Sequence, residues 1–107
     1  MVDQFIEGNF LGLPDVDGDA DVIIAPIPYE LTTSYGQGTA EGPAACIAAS
    51  GQVELFDHKL GQELPAGKKI RTVQPWSGEG NTLQEQLNGI GEYAAEQYNS
   101  GAFPIFL

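Results

Sequence analysis

Four aspartates at alternate positions, Asp15, Asp17, Asp19 and Asp21, are the first residues that could do chemistry, since spaced carboxylates bind calcium. An EF-hand loop counted from Asp15 needs Gly at its sixth position and Glu at its twelfth, where this chain has Ala20 and Pro26. The run therefore reads as a solvated acidic turn. A second candidate is Gly36-Gln37-Gly38 followed by Gly42-Pro43, because a glycine-rich stretch before a helix N-terminus can cradle phosphate. It lacks the P-loop lysine and the third glycine of a Gly-x-Gly-x-x-Gly pattern. The competing reading is a substrate-side loop after a strand, where open α/β sheets keep their sites. Thr32, Thr33, Ser34 and Tyr35 form the densest hydroxyl cluster; they could meet a substrate or bond their own backbone. His58 and Cys46 are the sole histidine and cysteine, so neither a Cys/His zinc site nor an internal disulfide can form. With no cation nearby, Cys46 reads as a small core residue.

The elements that would position these groups follow from periodicity. Val22-Ile23-Ile24-Ala25-Pro26-Ile27-Pro28 is apolar on both parities, the pattern of a strand buried on both faces in a parallel sheet. Pro26 and Pro28 cannot donate to a ladder, so the strand should fray there. Tyr29 to Gly42 is a loop at its carboxyl end. Pro43 suits the first turn of a helix that runs through small residues to Gly51. Val53–Asp57 and Ile70–Gln74 alternate weakly and are expected to pair as a short antiparallel hairpin or extended insert. Thr82-Leu83-Gln84-Glu85 has the capping-box form. Behind it Leu83, Leu87, Ile90, Ala94 and Tyr98 share one helical face, and Gly101 is expected at C′. Phe103–Leu107 is a second core strand.

Composition narrows the classes. The 107 residues carry 15 acidic and 4 basic side chains, a net charge of −11. Such a chain has no basic footprint for nucleic acid and is repelled by anionic lipid, whereas cationic small molecules and metal ions are attracted. The charge also suits a halophilic or marine source. The first residues carry Asp3 and Glu7 rather than a basic n-region, and the longest apolar stretch, Val22 to Tyr29, is far too short for a membrane span. A cytoplasmic protein is the expectation. Because the sequence stops on a wholly apolar strand that would need neighbours on both sides, residues 1–107 are expected to be an incomplete single domain.

Several of these segments, in order, resemble a known family. They are Phe10-Leu11-Gly12, Asp21 through Tyr29, Thr32-Thr33-Ser34-Tyr35-Gly36-Gln37-Gly38-Thr39, Gly42-Pro43, Ala49-Ser50 and Val53-Glu54-Leu55-Phe56-Asp57. Together they are similar to the N-terminal third of the ureohydrolases (arginase, agmatinase, formiminoglutamase), most of all the agmatinase branch. Pro28 through Pro43 is the most specific part. The resemblance implies an α/β chain, the N-terminal part of an arginase-like three-layer α/β/α fold. This chain would supply two core strands of the parallel sheet, two main helices and a short hairpin or extended insert.

The resemblance further implies a full-length enzyme that hydrolyses a cationic guanidino substrate, agmatine giving urea and putrescine, with two manganese ions. It implies a homo-oligomer as well. In the family the strand matching Phe103–Leu107 runs into Gly-Gly-Asp-His, and later Asp/His motifs complete the ligand set; none of these is in this sequence. No catalytic residue and no metal ligand is therefore assigned here, and the chain is expected to be inactive alone. The positions matching the loop at the pocket mouth are Tyr29, Thr33, Ser34 and Gly38, as rim. Departures from the family pattern include Gly36-Gln37, where many relatives carry Arg-Pro. The competing expectations are a stand-alone binding or assembly module on the same scaffold, and a piece of another guanidino or formimidoyl hydrolase.

Overall fold

A computed structural model of the chain describes residues 6–30 and 38–107. The β-branched run gives strand β1 (Val22–Ala25), which stops where Pro26 removes the next ladder donor. Ile24 and Ala25 are 1% and 0% exposed, as a strand covered on both faces requires. On one side β1 pairs in parallel with β4 (Ile70–Thr72), Val22 opposite Ile70. On the other it pairs in parallel with β5 (Phe103–Phe106), Val22 opposite Phe103. The sheet order is β4-β1-β5, which makes β1 the central strand of three.

The third strand corrects the sequence reading, which gave two core strands and took Val53–Asp57 and Ile70–Gln74 as a short antiparallel pair or extended segments. The hairpin instead joins β2 (Phe56–Asp57) to β3 (Gln62–Glu63). The reason is local. The Asp57 carboxylate accepts from the N–H groups of Lys59 (2.8 Å) and Leu60 (2.9 Å), closing a turn at once. That leaves Ile70–Thr72 free to reach β1 in parallel register.

Helix α1 (Gly42–Ser50) carries Pro43 in its first turn, as expected. Its inward residues are Ile47 and Ser50, one turn apart. The Ser50 hydroxyl donates to the Ile47 carbonyl (2.6 Å) and accepts from Leu11 N–H (2.7 Å), so this buried polar group is satisfied and ties the N-terminal segment to the helix. Cys46 is exposed, which corrects its reading as a core residue: it lies about 100° around the helix from Ile47.

Helix α2 (Leu83–Tyr98) starts on the expected capping box. Thr82 Oγ1 accepts from Glu85 N–H (3.1 Å), and Glu85 Oε1 accepts from Thr82 N–H (3.2 Å). The helix ends at Tyr98, with Asn99 at the cap position and Gly101, at φ +94°, two residues beyond it instead of at C′. Its inward face also differs from the apolar stripe. Gly89, Tyr93 and Gln97 turn toward the segment after β4; of the stripe, Ile90 and Ala94 are half-buried while Leu83, Leu87 and Tyr98 are exposed. Phe103, Ile105 and Phe106 on the edge strand β5 are exposed as well, Phe103 to 67%. The Cα radius of gyration, 15.6 Å, exceeds the roughly 13 Å of a compact chain this long. Among the described residues no helix is long and apolar enough to cross a membrane.

Candidate functional site

The three parallel strands stay tied together past their formal ends. Val73 N–H donates to the Ile24 carbonyl (3.0 Å), and Trp76 N–H to that of Pro26 (3.0 Å). On the far side Leu107 N–H reaches the Ala25 carbonyl (3.1 Å), and Ile27 N–H the Leu107 carbonyl (2.8 Å). Pro26 offers no donor, but its carbonyl is used. The chain then leaves the sheet through Pro28, Tyr29 and Glu30 at the carboxyl end, where a parallel sheet places its site.

Trp76 organises this end. It is 5% exposed, and its ring meets that of Tyr29 with centroids 6.4 Å apart and planes tilted by 49°. Gly89 of α2 makes room for the indole, since a Cβ on Gly89 would stand 3.3 Å from Trp76 Nε1. Nearby, the Tyr93 hydroxyl donates to the Gln74 carbonyl (2.7 Å). Burial, and next the neighbouring Glu96 carboxylate, push the Tyr93 phenol above its usual range. It therefore keeps its proton, and its donor role, throughout the neutral range.

Two cavities flank the strand ends. One, of about 920 Å³, lies between α2 and the segment after β4, and is lined by Trp76 and Tyr93 with Glu79, Glu92 and Glu96. The other, of about 600 Å³, lies beside α1 against Pro26, Pro28, Pro43, Ile47 and Thr72. The first offers carboxylates and aromatic faces, which suit cations; the second is largely apolar.

Of the four rim positions expected from the sequence, Tyr29 packs on Trp76 and Gly38 lies at the start of the turn Thr39–Glu41 that leads into α1. Thr33 and Ser34 lie outside the described residues. Gly38 has φ +105°, a conformation that favours glycine. Its N–H and that of Ala40 both donate to Glu30 Oε1, each at 2.9 Å. Sequence reasoning missed Glu30 and Trp76. A carboxylate bonded to backbone eight and ten residues away leaves no periodic trace, and a tryptophan in a loop carried no spacing signal.

The acidic turn before β1 is exposed, and its backbone is held from the strand beside it. The Arg71 guanidinium donates to the carbonyls of Val16 and Gly18, and Asp21 accepts from Lys69 N–H (2.8 Å). Among the described residues no three His, Cys, Asp or Glu side chains converge to hold a metal ion. The described residues therefore do not by themselves fit the two-manganese centre that the resemblance implies.

Comparison with known proteins agrees with this architecture. The N(1)-aminopropylagmatine ureohydrolase of Synechocystis sp. is 54% identical over 43 residues, which cover 40% of this chain and 14% of that protein. Its namesake from Thermus thermophilus is 29% identical over 89 residues, 83% of this chain and 30% of its own length; the protein of a second strain of that species matches equally. The chain thus spans less than a third of the curated relatives it matches. The sequence profile of the arginase family matches residues 20–107, from the turn before β1 through β5. The chain belongs to the arginase family.

Proposed function

We propose that these residues are the N-terminal part of a ureohydrolase acting on a cationic guanidino compound of the agmatine type. The observation that carries the reading is the family match across the whole sheet. The substrate class draws support from the relatives, which are named for N(1)-aminopropylagmatine, agmatine extended by an aminopropyl group. The net charge of −11 adds a field that attracts a cation carrying a guanidinium and amines.

In this reading Tyr29, Thr33, Ser34 and Gly38 form part of the pocket rim. They orient the substrate, and Trp76 backs Tyr29 from the protein side. The two manganese ions of the proposed enzyme would be held by residues outside this sequence, and these residues carry no step of the chemistry. The complete enzyme is proposed to be a cytoplasmic homo-oligomer.

The test is urea release with added Mn²⁺ from agmatine, N(1)-aminopropylagmatine and arginine. The complete open reading frame is expected to turn over one of the two agmatine compounds, and residues 1–107 none. Turnover by the 107-residue chain would overturn the assignment of its residues as rim only.

The exposed apolar edge of β5 favours one second reading, a non-catalytic assembly module pairing through that edge. It requires residues 1–107 to sediment as a defined dimer that Phe103→Lys dissociates. On the enzyme reading no such discrete dimer is expected.

A further inference from the structure

Glu92, Glu96 and Gln97 of α2 line the cavity of about 920 Å³, and Trp76 and Glu79 line it from the segment after β4. Its charge is not balanced locally. No Lys, Arg or His follows Arg71 in the sequence, whereas Glu79, Glu85, Glu92 and Glu96 do. The last two bases are engaged elsewhere: Lys69 and Arg71 donate to carbonyls of the acidic turn before β1. Glu92 and Glu96 stand one helical turn apart, a like-charge spacing that destabilises a helix until a cation relieves it. Gln97 is an independent sign of a ligand. It and Ser50 are the buried polar residues among those described, Gln97 being 8% exposed. The Ser50 hydroxyl is bonded on both sides. The Gln97 amide makes one long contact, from Nε2 to Glu96 Oε1 at 3.5 Å, and its Oε1 accepts nothing. An unused acceptor on a buried side chain is costly. That oxygen is not sealed in; it opens on the cavity that Gln97 lines.

The carboxylates are spread along the walls. Among the described residues no three acidic side chains converge to hold one metal ion. Spread negative charge with aromatic surface between suits a ligand whose positive charges are themselves spaced by methylenes. We propose that this cavity binds a protonated alkyl polyamine. Its ammonium groups donate to Glu79, Glu92, Glu96 and Gln97 Oε1, and its methylenes lie on Trp76 and Tyr93. Neither Tyr29 nor Gly38 lines the cavity. The site is therefore separate from those proposed rim positions and does not depend on the proposed function.

The experiment uses the complete protein, with spermidine as the probe and Mg²⁺ as the comparison cation. Binding is followed by titration calorimetry at fixed low salt and located by hydrogen exchange of the amides of residues 85–97. Spermidine is expected to slow exchange there, and Mg²⁺ to leave it unchanged. The double substitution Glu92→Gln/Glu96→Gln is expected to weaken this binding about 10-fold and to abolish the protection. Gln97→Leu, which removes the acceptor and keeps an apolar side chain in its place, is expected to weaken it about threefold or more. Asp17→Asn/Asp19→Asn removes the same charge from the turn before β1 and is expected to stay within about twofold of wild type. Spermidine held in a substrate pocket would persist in the Glu92→Gln/Glu96→Gln variant, so the component which that variant removes is the one that counts.

Unchanged exchange over residues 85–97 with spermidine would overturn the proposal. So would equal protection by Mg²⁺, or equal weakening in Asp17→Asn/Asp19→Asn, because either is the signature of a diffuse acidic field and not of a site. Should Gln97→Leu fail to fold, Glu92→Gln/Glu96→Gln carries the comparison, since both glutamates are exposed. If the wild type releases no urea from any guanidino compound, the functional reading fails on that result, and the spermidine comparison still decides whether this cavity is a polyamine site.

Discussion

Replacing Ile24 with alanine is expected to cost about 2–5 kcal/mol, the range for deleting a large aliphatic side chain from a packed core. Ile24 is 1% exposed and is the largest fully buried side chain among the described residues. It sits mid-strand in β1, opposite Thr72 on one side and Ile105 on the other, so no loop can relax into the space it vacates. The loss matters because there is little to spare. The buried apolar residues described are Ile23, Ile24, Ala25, Ile47 and Trp76, and domains of about this size are stable by only about 5–15 kcal/mol. The expected result is a melting temperature lowered by on the order of 10–30 °C in circular dichroism melts. Ile24→Val, which keeps the β-branch and removes one methylene, should cost only about 0.5–1.5 kcal/mol. A loss below about 1 kcal/mol in Ile24→Ala would mean that the centre of this sheet is not close-packed.

Ile24 also shows why part of this fold was legible. The run Val22–Ala25 is apolar on both parities, the pattern of a strand covered on both faces, so β1 could be read directly; β5 was read from the same pattern and pairs with β1 in parallel, although Phe103, Ile105 and Phe106 are exposed. The α2 cap was legible for a similar reason: Thr82 and Glu85 are three residues apart, and their reciprocal bonds need nothing from the rest of the chain. The errors begin where a distant contact decides. Ile70–Thr72 is half-buried at a sheet edge and alternates too weakly to announce its partner. The stripe from Leu83 to Tyr98 marks one helical face correctly, yet α2 turns Gly89 and Tyr93 inward, because the Trp76 ring and the Gln74 carbonyl wait there. The site divides in the same way. The family-like run from Pro28 to Pro43 supplies the proposed rim positions, of which Tyr29 and Gly38 lie among the described residues. The bonds from Gly38 and Ala40 to Glu30 follow from a left-handed glycine that only the folded backbone reveals.

Removing the Trp76 side chain should be the costliest single change at the site, about 3–5 kcal/mol for Trp76→Ala. The backbone bond from Trp76 N–H to Pro26 would survive, since it belongs to the main chain. What would go is the indole, which fills the space between Tyr29 and Gly89 and is 5% exposed. Trp76 is the only tryptophan in the chain. Wild-type unfolding can therefore be followed by its fluorescence, and the variant by circular dichroism. Trp76→Phe retains an aromatic face for Tyr29 and should recover more than half of the loss. The functional weight of the pair lies in Tyr29, a proposed rim residue whose ring rests on Trp76. A double-mutant cycle of Tyr29→Ala and Trp76→Ala isolates that contact and is expected to give a coupling of about 0.5–1.5 kcal/mol. A coupling near zero would leave Trp76 as core alone. A coupling in the expected range would mean that the same packing that stabilises the strand ends also holds the ring of Tyr29, a proposed rim residue, in place.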